Sequence, residues 1–438
     1  MIDPFADAKP RLSSRGQEER LRVNREQAPA FMPVTRGVDY EAAVRDIVVR
    51  AKPLGREIVP LAESLGRTLA ANARARQPIP PFSKATMDGY AVRAADTTPR
   101  SGAGAVDLAV LEDLPAGRVS RKAVGAGQAV RIMTGAPLPK GADAVVMVEH
   151  TEKTGTRVKI GRPVNPGDNI GLAGEDLEKG ALVLERGDKI GPAEIGMLAA
   201  LGRASVAVAR RPVVAVIATG DEIVEPGEPT GPGLIRNSNG WALTAMAAKA
   251  GATTIYLGIA RDTSASLRRK IEKAAAADIL VLSGGVSVGD YDLVKDQLRE
   301  FGVRPVFWQV RIKPGKPVFF GIKSKQLVFG LPGNPTSAMV TFDLFVRPAI
   351  DRMLGKKMPG LRTAKAVLSA DLAVKPGRKH FLRGVLAGQG PELRVAPFPD
   401  QRSGVLRSMV KSRVLIVVPA DAVRVEKGST VEIIFLED

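Results

Sequence analysis

ADILVLSGGVSVGDYDLVKDQL, residues 277–298, is the stretch whose reading decides the fold. Ala277 and the apolar run Ile279 to Leu282 lead directly into Ser283-Gly284-Gly285, then Ser287, Gly289, Asp290 and Asp292, before a helical pattern begins. That order predicts a buried parallel strand, a glycine turn and a helix start. Glycines let backbone N–H groups approach an anion, and a helix N-terminus adds about half a positive charge. Gly284, Gly285 and Ser287 therefore form a candidate phosphate cradle, with Asp290 and Asp292 as hard oxygen donors suited to Mg²⁺. Such a turn also serves as a plain tight connection, so its meaning depends on the loops around it.

Outward from this stretch the same texture repeats. Val213 to Ile217 reads as a strand ending in Thr219-Gly220-Asp221-Glu222, followed by a helix from about Asn239 to Lys249. Thr254 to Leu257 is a further strand, and Asp262 is placed to cap a helix from Ser264 to Ala275. Pro305 to Val310 leads to IKPGKP; Gln326 to Phe329 leads to LPGNPTSA, whose helix runs to about Leu354. This βαβ series predicts a doubly wound parallel sheet, with ligands beyond the carboxyl ends of its strands.

The flanks differ. Residues 1 to about 36 mix charge, Pro and Ser and read as a mobile tail. A helical face runs from Val38 to Lys52, with Asp39 as N-cap, and a second amphipathic segment covers Leu61 to Ala71. Short alternating strands from PPFSKATMDGYAVRAAD (80–96) to about Val164 predict a small β domain, and 165–202 ends in a helix that starts at Pro192 and stops before Gly202. From Met358 on, strands such as Val414 to Val418 and Thr430 to Phe435 predict another β domain.

Composition narrows the chemistry. The 438 residues contain no cysteine, which excludes disulfides and thiolate chemistry, and His150 and His380 are the only histidines. Any reaction must use carboxylates, Lys, Arg, hydroxyls and backbone amides. Lys and Arg exceed acids by 18, so anions are attracted. The basic clusters are short and aromatics make up 4%, which argues for small multiply anionic substrates rather than nucleic acid. No apolar run reaches the roughly 18 residues of a membrane span, and no signal peptide opens the chain, so a cytoplasmic protein is expected.

Three further groups of residues carry possible chemistry. Gly333, Asn334 as N-cap, Pro335 and the first-turn hydroxyls of Thr336 and Ser337 make a second anion-accepting helix start or a well-capped structural one. Lys313 and Lys316 flank Pro314-Gly315, and clustering of like charges favours an anion between them over a solvated pair. Glu222 with Asp221, Asp262, and Asp290 with Asp292 line up carboxylates after successive strands, a pattern suited to Mg²⁺ beside a phosphate, although an N-cap Asp needs no function. Asp88 in MDGYA and Thr134 in RIMTGA say little alone.

Together MDGYA, RIMTGAPLP, GADAVVMVE, TGDE, SGGVSVGDYD, IKPGKP and LPGNP, in this order over about residues 38–438, closely resemble the molybdopterin molybdenumtransferases, a family that includes a domain of gephyrin. The resemblance implies an elongated discontinuous domain (37–79 and 165–208), an inserted β domain (80–164), a molybdopterin-binding α/β domain (209–357) and a C-terminal β domain (358–438). It implies a homodimer using adenylylated molybdopterin, molybdate and Mg²⁺, releasing AMP, and in possible contact with other proteins of molybdenum cofactor synthesis. By motif, Asp88, Thr134, Glu222, Asp262, Asp292, Lys313 and Lys316 fall at functional positions, and Arg383 in FLRGVL and Ser403 in QRSGVLRSM match positions linked to the oxyanion. Glu222, Asp290 and Asp292 are the implied metal ligands. The substrate brings its own sulfur ligands, so the lack of cysteine is no obstacle. Arg407-Ser408 stands where the family usually has a Ser pair. A non-catalytic molybdopterin-binding scaffold and a tungstate-using enzyme are the alternatives.

Overall fold

The central strand is where the sequence puts it: Ile279–Ser283 is buried at every residue, as a strand covered on both faces must be. The structure, a computed structural model, describes residues 35–99, 104–285, 293–387 and 392–436. It divides into two compact units, one of residues up to 54, 211–354 and from 358 on, the other of 55–210 with 355–357.

In the first unit seven strands form one sheet, in the order Thr35–Val38, Arg304–Val310, Phe319–Lys323, Gln326–Leu331, Ile279–Ser283, Val213–Thr219, Thr253–Ala260. The last four are mutually parallel. From Val213–Thr219 the chain first adds a strand on one side, then returns to add Ile279–Ser283 on the other. The two carboxyl ends thus diverge at a topological switch point, the place where such sheets open a crevice.

Alternation distributes the side chains. Ile217, Leu280 and Leu282 pack with Leu267, Ile271, Val294 and Leu298 on one face, which leaves Val214, Val216 and Val281 for the other. Leu243 and Ala247 of helix Asn239–Lys249 are fully buried.

The sheet is mixed where a wholly parallel one was expected. Phe319–Lys323 runs antiparallel to both neighbours. Only Ser324 and Lys325 separate it from Gln326–Leu331, with Ser324 at φ 53°, and a two-residue connection can join only antiparallel strands. The strand Thr35–Val38 also claims Thr35 and Arg36, which were assigned to the tail.

The helix after LPGN is helical throughout but not uniform: Pro335–Thr341, a π-helical Phe342–Val346, then Arg347–Met353. Pro348 lacks an N–H and its ring crowds the carbonyl four residues back, a conflict that a wider turn relieves. The C-terminal strands close into a five-stranded barrel, because Lys379–Ala387 pairs with both Arg394–Pro397 and Val414–Val418, and Ile312–Lys313 adds to Lys379–Ala387 from outside the ring. Leu368, Leu382, Val395, Ile416 and Ile433 fill it.

The second unit holds a six-stranded sheet of Ala144–Met147, Gly89–Val92, Gln128–Ile132, Val106–Leu114, Arg157–Ile160 and Thr151–Thr154. Beside it, Arg56–Pro60 pairs with Ser205–Ala209. Helix Pro192–Ala200 forms as expected, with Pro at its first turn. The amphipathic segment Leu61 to Ala71 is not a helix. A single 3-10 turn, Leu61–Glu63, gives way to Gly66 at φ 74° and bridges from Thr68 and Leu69 to Lys189 and Val208. Among the described residues no helix is long and apolar enough to cross a membrane.

Candidate functional site

At the switch point the strand ends enclose a cleft of about 480 Å³. Its walls include Thr219, Gly220, Glu222, Ile235 to Asn239, Asp262, Ser283 to Gly285 and Pro332 to Pro335. Six predicted residues, Gly284, Gly285, Gly333, Asn334, Glu222 and Asp262, therefore meet here.

Two of the glycines are sterically required. Gly284 takes φ +96°, and a Cβ there would lie 2.7 Å from the Thr219 carbonyl oxygen; at Gly285, φ +64°, it would lie 2.5 Å from Val294 Cγ2. Both conformations disfavour a side chain. Gly333 is different: a Cβ would meet only Gly284 Cα, at 3.6 Å.

The turns are clipped together by Asn239, which the sequence reading used only as a helix start. Its Nδ2 donates to Ser283 Oγ at 2.9 Å and to the Gly333 carbonyl at 2.8 Å. Asn237 supports it from below, with Oδ1 accepting from Gly240 N–H and Nδ2 donating to Tyr256 Oη. Tyr256 in turn donates to Glu225 at 2.5 Å, and burial, then this carboxylate, push its phenol far above the usual range. The run Asn237-Ser238-Asn239-Gly240, rich in residues that bond locally to backbone, is the signal that could have exposed this network.

Asp221, Glu222 and Asp262 converge on one rim. Asp262 donates its N–H to Asp221 Oδ1 at 3.1 Å, and its carboxyl is raised above the ordinary value by burial, then by the charges of Asp221 and Glu222. The helix cap assigned to Asp262 belongs to Thr263, whose Oγ1 accepts from Ser266 N–H. Arg261 braces the rim by donating Nη1 to the carbonyls of Gly220, Asp221 and Ile223. Among the described residues no three His, Cys, Asp or Glu side chains form a ready metal cage. Ser287, Asp290 and Asp292 lie outside the described residues.

The other predicted residues are not in the cleft wall. Lys313 and Lys316 are exposed around Pro314-Gly315, and Gly315, at φ +98°, packs where a Cβ would strike Thr341. Ser337 is buried, and its carbonyl accepts from Thr341 Oγ1. The helix start at Pro335 was expected to offer free donors, yet Thr336 N–H is taken by the Ser403 carbonyl at 3.2 Å and Thr336 Oγ1 donates to Val405 O. Ser403 thus meets this helix through its backbone.

Arg383 is 1% exposed. It donates Nε to Ser408 Oγ and Nη2 to the Asp400 and Arg402 carbonyls. Burial lowers it to about 10, so it stays charged at neutral pH. As placed, it fixes loop 400–408. Ser408 Oγ also donates to Val405 O, while Arg407 opens the short helix Arg407–Lys411 and is exposed.

Asp88 and Thr134 belong to the second unit. Asp88 Oδ1 accepts from both the N–H and the Oγ1 of Thr134, each at 2.7 Å. The hydroxyl bond, then the amide bond, hold this exposed carboxyl below its usual range.

Comparison with known proteins gives these sites a setting. Three family descriptions match in order: the MoeA N-terminal region (domain I and II) over residues 38–202, the probable molybdopterin binding domain over 215–352, and the MoeA C-terminal region (domain IV) over 365–436. A molybdopterin molybdenumtransferase of Bacillus subtilis is 37% identical over 406 residues, covering 92% of this chain and 94% of its own. The chain belongs to the molybdopterin molybdenumtransferase family. Another member, molybdopterin molybdenumtransferase 2 of Mycobacterium tuberculosis, is 36% identical over 401 residues, 90% of this chain and 98% of its own. A crystal structure of a molybdopterin biosynthesis MoeA protein from Pyrococcus horikosii superposes with a TM-score of 0.81 at 34% identity, covering 92% of this chain and all of that one. In family terms the cleft lies within the segment matched by the molybdopterin binding domain, and Asp88 and Thr134 within the N-terminal region.

Proposed function

We infer that this chain carries out its family's transfer reaction, inserting molybdenum into molybdopterin during molybdenum cofactor biosynthesis. The observation that carries this reading is the cleft at the switch point, where two glycine turns, an asparagine clip and a carboxylate rim converge in the molybdopterin-binding segment. In finer detail we propose adenylylated molybdopterin and molybdate as substrates, with hydrolysis of the pyrophosphate bond and departure of AMP. Gly285, with the neighbouring Ser287, would receive phosphate oxygens through backbone N–H groups, while Gly284, whose own N–H is taken by the Leu331 carbonyl, lets the substrate approach closely. Asn239 keeps the two turns in register.

Mg²⁺ fits the rim. Asp262, raised by burial and then by the charges of Asp221 and Glu222, would be relieved by a hard cation, and Mg²⁺ commonly takes one or two carboxylates and completes its shell with phosphate oxygens and water. Glu222 and Asp262 would hold it, with Asp290 and Asp292 as further ligands. When bound, it would neutralise charge on the phosphates. Asp88, kept ionised by Thr134, is proposed to orient or deprotonate a reacting group, and Lys313 and Lys316 to attract molybdate. Arg383 and Ser403 would act on that oxyanion by holding loop 400–408 rather than by direct contact. We further propose a cytoplasmic homodimer, divided into the four domains the family resemblance implies, that exchanges substrate with other proteins of the pathway.

The test is transfer itself. Purified protein incubated with adenylylated molybdopterin, molybdate and Mg²⁺ should yield molybdenum that co-elutes with the pterin and activates a molybdenum-free apoenzyme. Molybdenum that never leaves the free pool would contradict the assignment and favour a binding scaffold.

A further inference from the structure

The cleft wall has an electrostatic imbalance. Of its described residues, Glu222 and Asp262 are acidic and Arg236 is the one cation. A phosphate entering beside two carboxylates is repelled unless opposite charge is supplied, and Mg²⁺ offsets only part of that when two phosphate groups enter together.

Arg236 is held ready. Strand pairing of Ile223–Val224 with Ile235–Arg236 fixes its backbone, flanked by Ile235 N–H donating to the Glu222 carbonyl and Asn237 N–H donating to the Val224 carbonyl, both at 2.8 Å. The side chain donates Nε to Pro226 O at 3.1 Å, an anchor that sets the plane of the guanidinium. No bond engages either Nη group among the described residues, and Arg236 is an exposed residue of the cleft lining. A planar fork with free Nη donors matches two oxygens of one phosphate.

We propose that Arg236 is a substrate-contacting residue that receives a phosphate of the adenylylated substrate in the same cleft as the Glu222–Asp262 rim. This rests on the reading of the cleft as the site of the adenylylated pterin. The same fork would also suit molybdate, another tetrahedral oxyanion. The nucleotide phosphate is preferred because Arg236 shares its wall with the glycine turns and the Mg²⁺-binding rim, whereas Lys313 and Lys316 lie outside that wall.

The experiment titrates the full-length protein, Arg236→Ala and Arg236→Lys with AMP in the presence of Mg²⁺, and separately with molybdate, at two salt concentrations. Arg236→Ala should weaken AMP binding about tenfold or more, the usual cost of losing a charge-assisted bond, and flatten its salt dependence. Arg236→Lys should recover part of the loss, since it returns the charge without the fork. Molybdate affinity and the melting temperature should match wild type. Unchanged AMP affinity in Arg236→Ala, or a loss confined to molybdate, overturns the proposal. So does a melting temperature that falls in step with AMP binding, because that marks a structural role. If the wild-type protein binds no AMP, the reading of the cleft fails as well, an outcome distinct from a wild type that binds AMP beside an Arg236→Ala that binds equally well.

Discussion

Alanine at Gly284 and at Gly333 should separate folding from function within one cleft. At Gly284 the φ of +96° and the approach of Thr219 O (2.7 Å) and Oγ1 (2.8 Å) leave no room for a methyl group. Backbone strain there costs about 1–3 kcal/mol and overpacking about 1–3 kcal/mol more, so Gly284→Ala should lose about 2–6 kcal/mol. Gly333 has no left-handed φ and only one neighbour, Gly284 Cα at 3.6 Å, so its alanine variant should unfold within about 0.5 kcal/mol of wild type. Its added methyl, however, stands in the cleft wall. A misplaced methyl in a binding pocket is worth about 1–3 kcal/mol, so affinity for AMP or the adenylylated pterin should fall roughly tenfold or more. Denaturant unfolding and equilibrium binding measure the two effects. Gly284→Ala with wild-type stability would refute the steric reasoning, and Gly333→Ala with wild-type affinity would show that substrate does not use these turns.

Thr134→Val removes the hydroxyl bond that contributes most to holding Asp88 below the usual carboxylate range. A depressed folded pKa gives stability present above the unfolded value and lost as pH falls through the folded one, so the variant should lose the ionised Asp88 at a higher pH, visible in an NMR titration and in the acid limb of activity. His380, buried and kept below its ordinary value by desolvation although its Nε2–H donates to the Lys375 carbonyl, faces the charges of Lys313 and Arg378. Its folded pKa is depressed, so the neutral ring's contribution holds above about 6.5 and declines as pH drops below that; the melting temperature of wild type should fall there more steeply with pH than that of His380→Gln. Replacing both Lys313 and Lys316 with Ala should weaken molybdate binding and its salt dependence while leaving the melting temperature unchanged; equal affinity at low ionic strength would mark them as a solvated pair.

Much of the fold was legible because its signals are local. Ile279–Ser283 and Val213–Thr219 are unbroken apolar runs ending at glycines, and helix Pro192–Ala200 has Pro and Gly at its two ends. The antiparallel strand Phe319–Lys323 escaped because Ser324-Lys325 carries none of the Asn-Gly or Asp-Gly chemistry that announces a hairpin. Leu61 to Ala71 misled because its apolar spacing fits two periods, and Gly66 together with ladder bonding to Lys189 and Val208 settles it as extended chain. The same division runs through the site. The glycine turns and the Glu222–Asp262 rim follow from strand ends, but Asn239 reaches Ser283 and Gly333, 44 and 94 residues away. The run Asn237-Ser238-Asn239-Gly240 hints at local polar bonding, but spacing alone does not name the distant partners of Asn239, nor show that Arg383 on strand Lys379–Ala387 is taken up by carbonyls of loop 400–408.

The central claim, that this cleft couples departure of AMP to molybdenum insertion, is tested most directly by AMP release from adenylylated molybdopterin with molybdate and Mg²⁺ each supplied or withheld. The account predicts release only when both are present, and at least about a hundredfold slower in Asp292→Asn if that carboxylate helps to hold the cation. Release that ignores molybdate, or an Asp292→Asn rate equal to wild type, would contradict it.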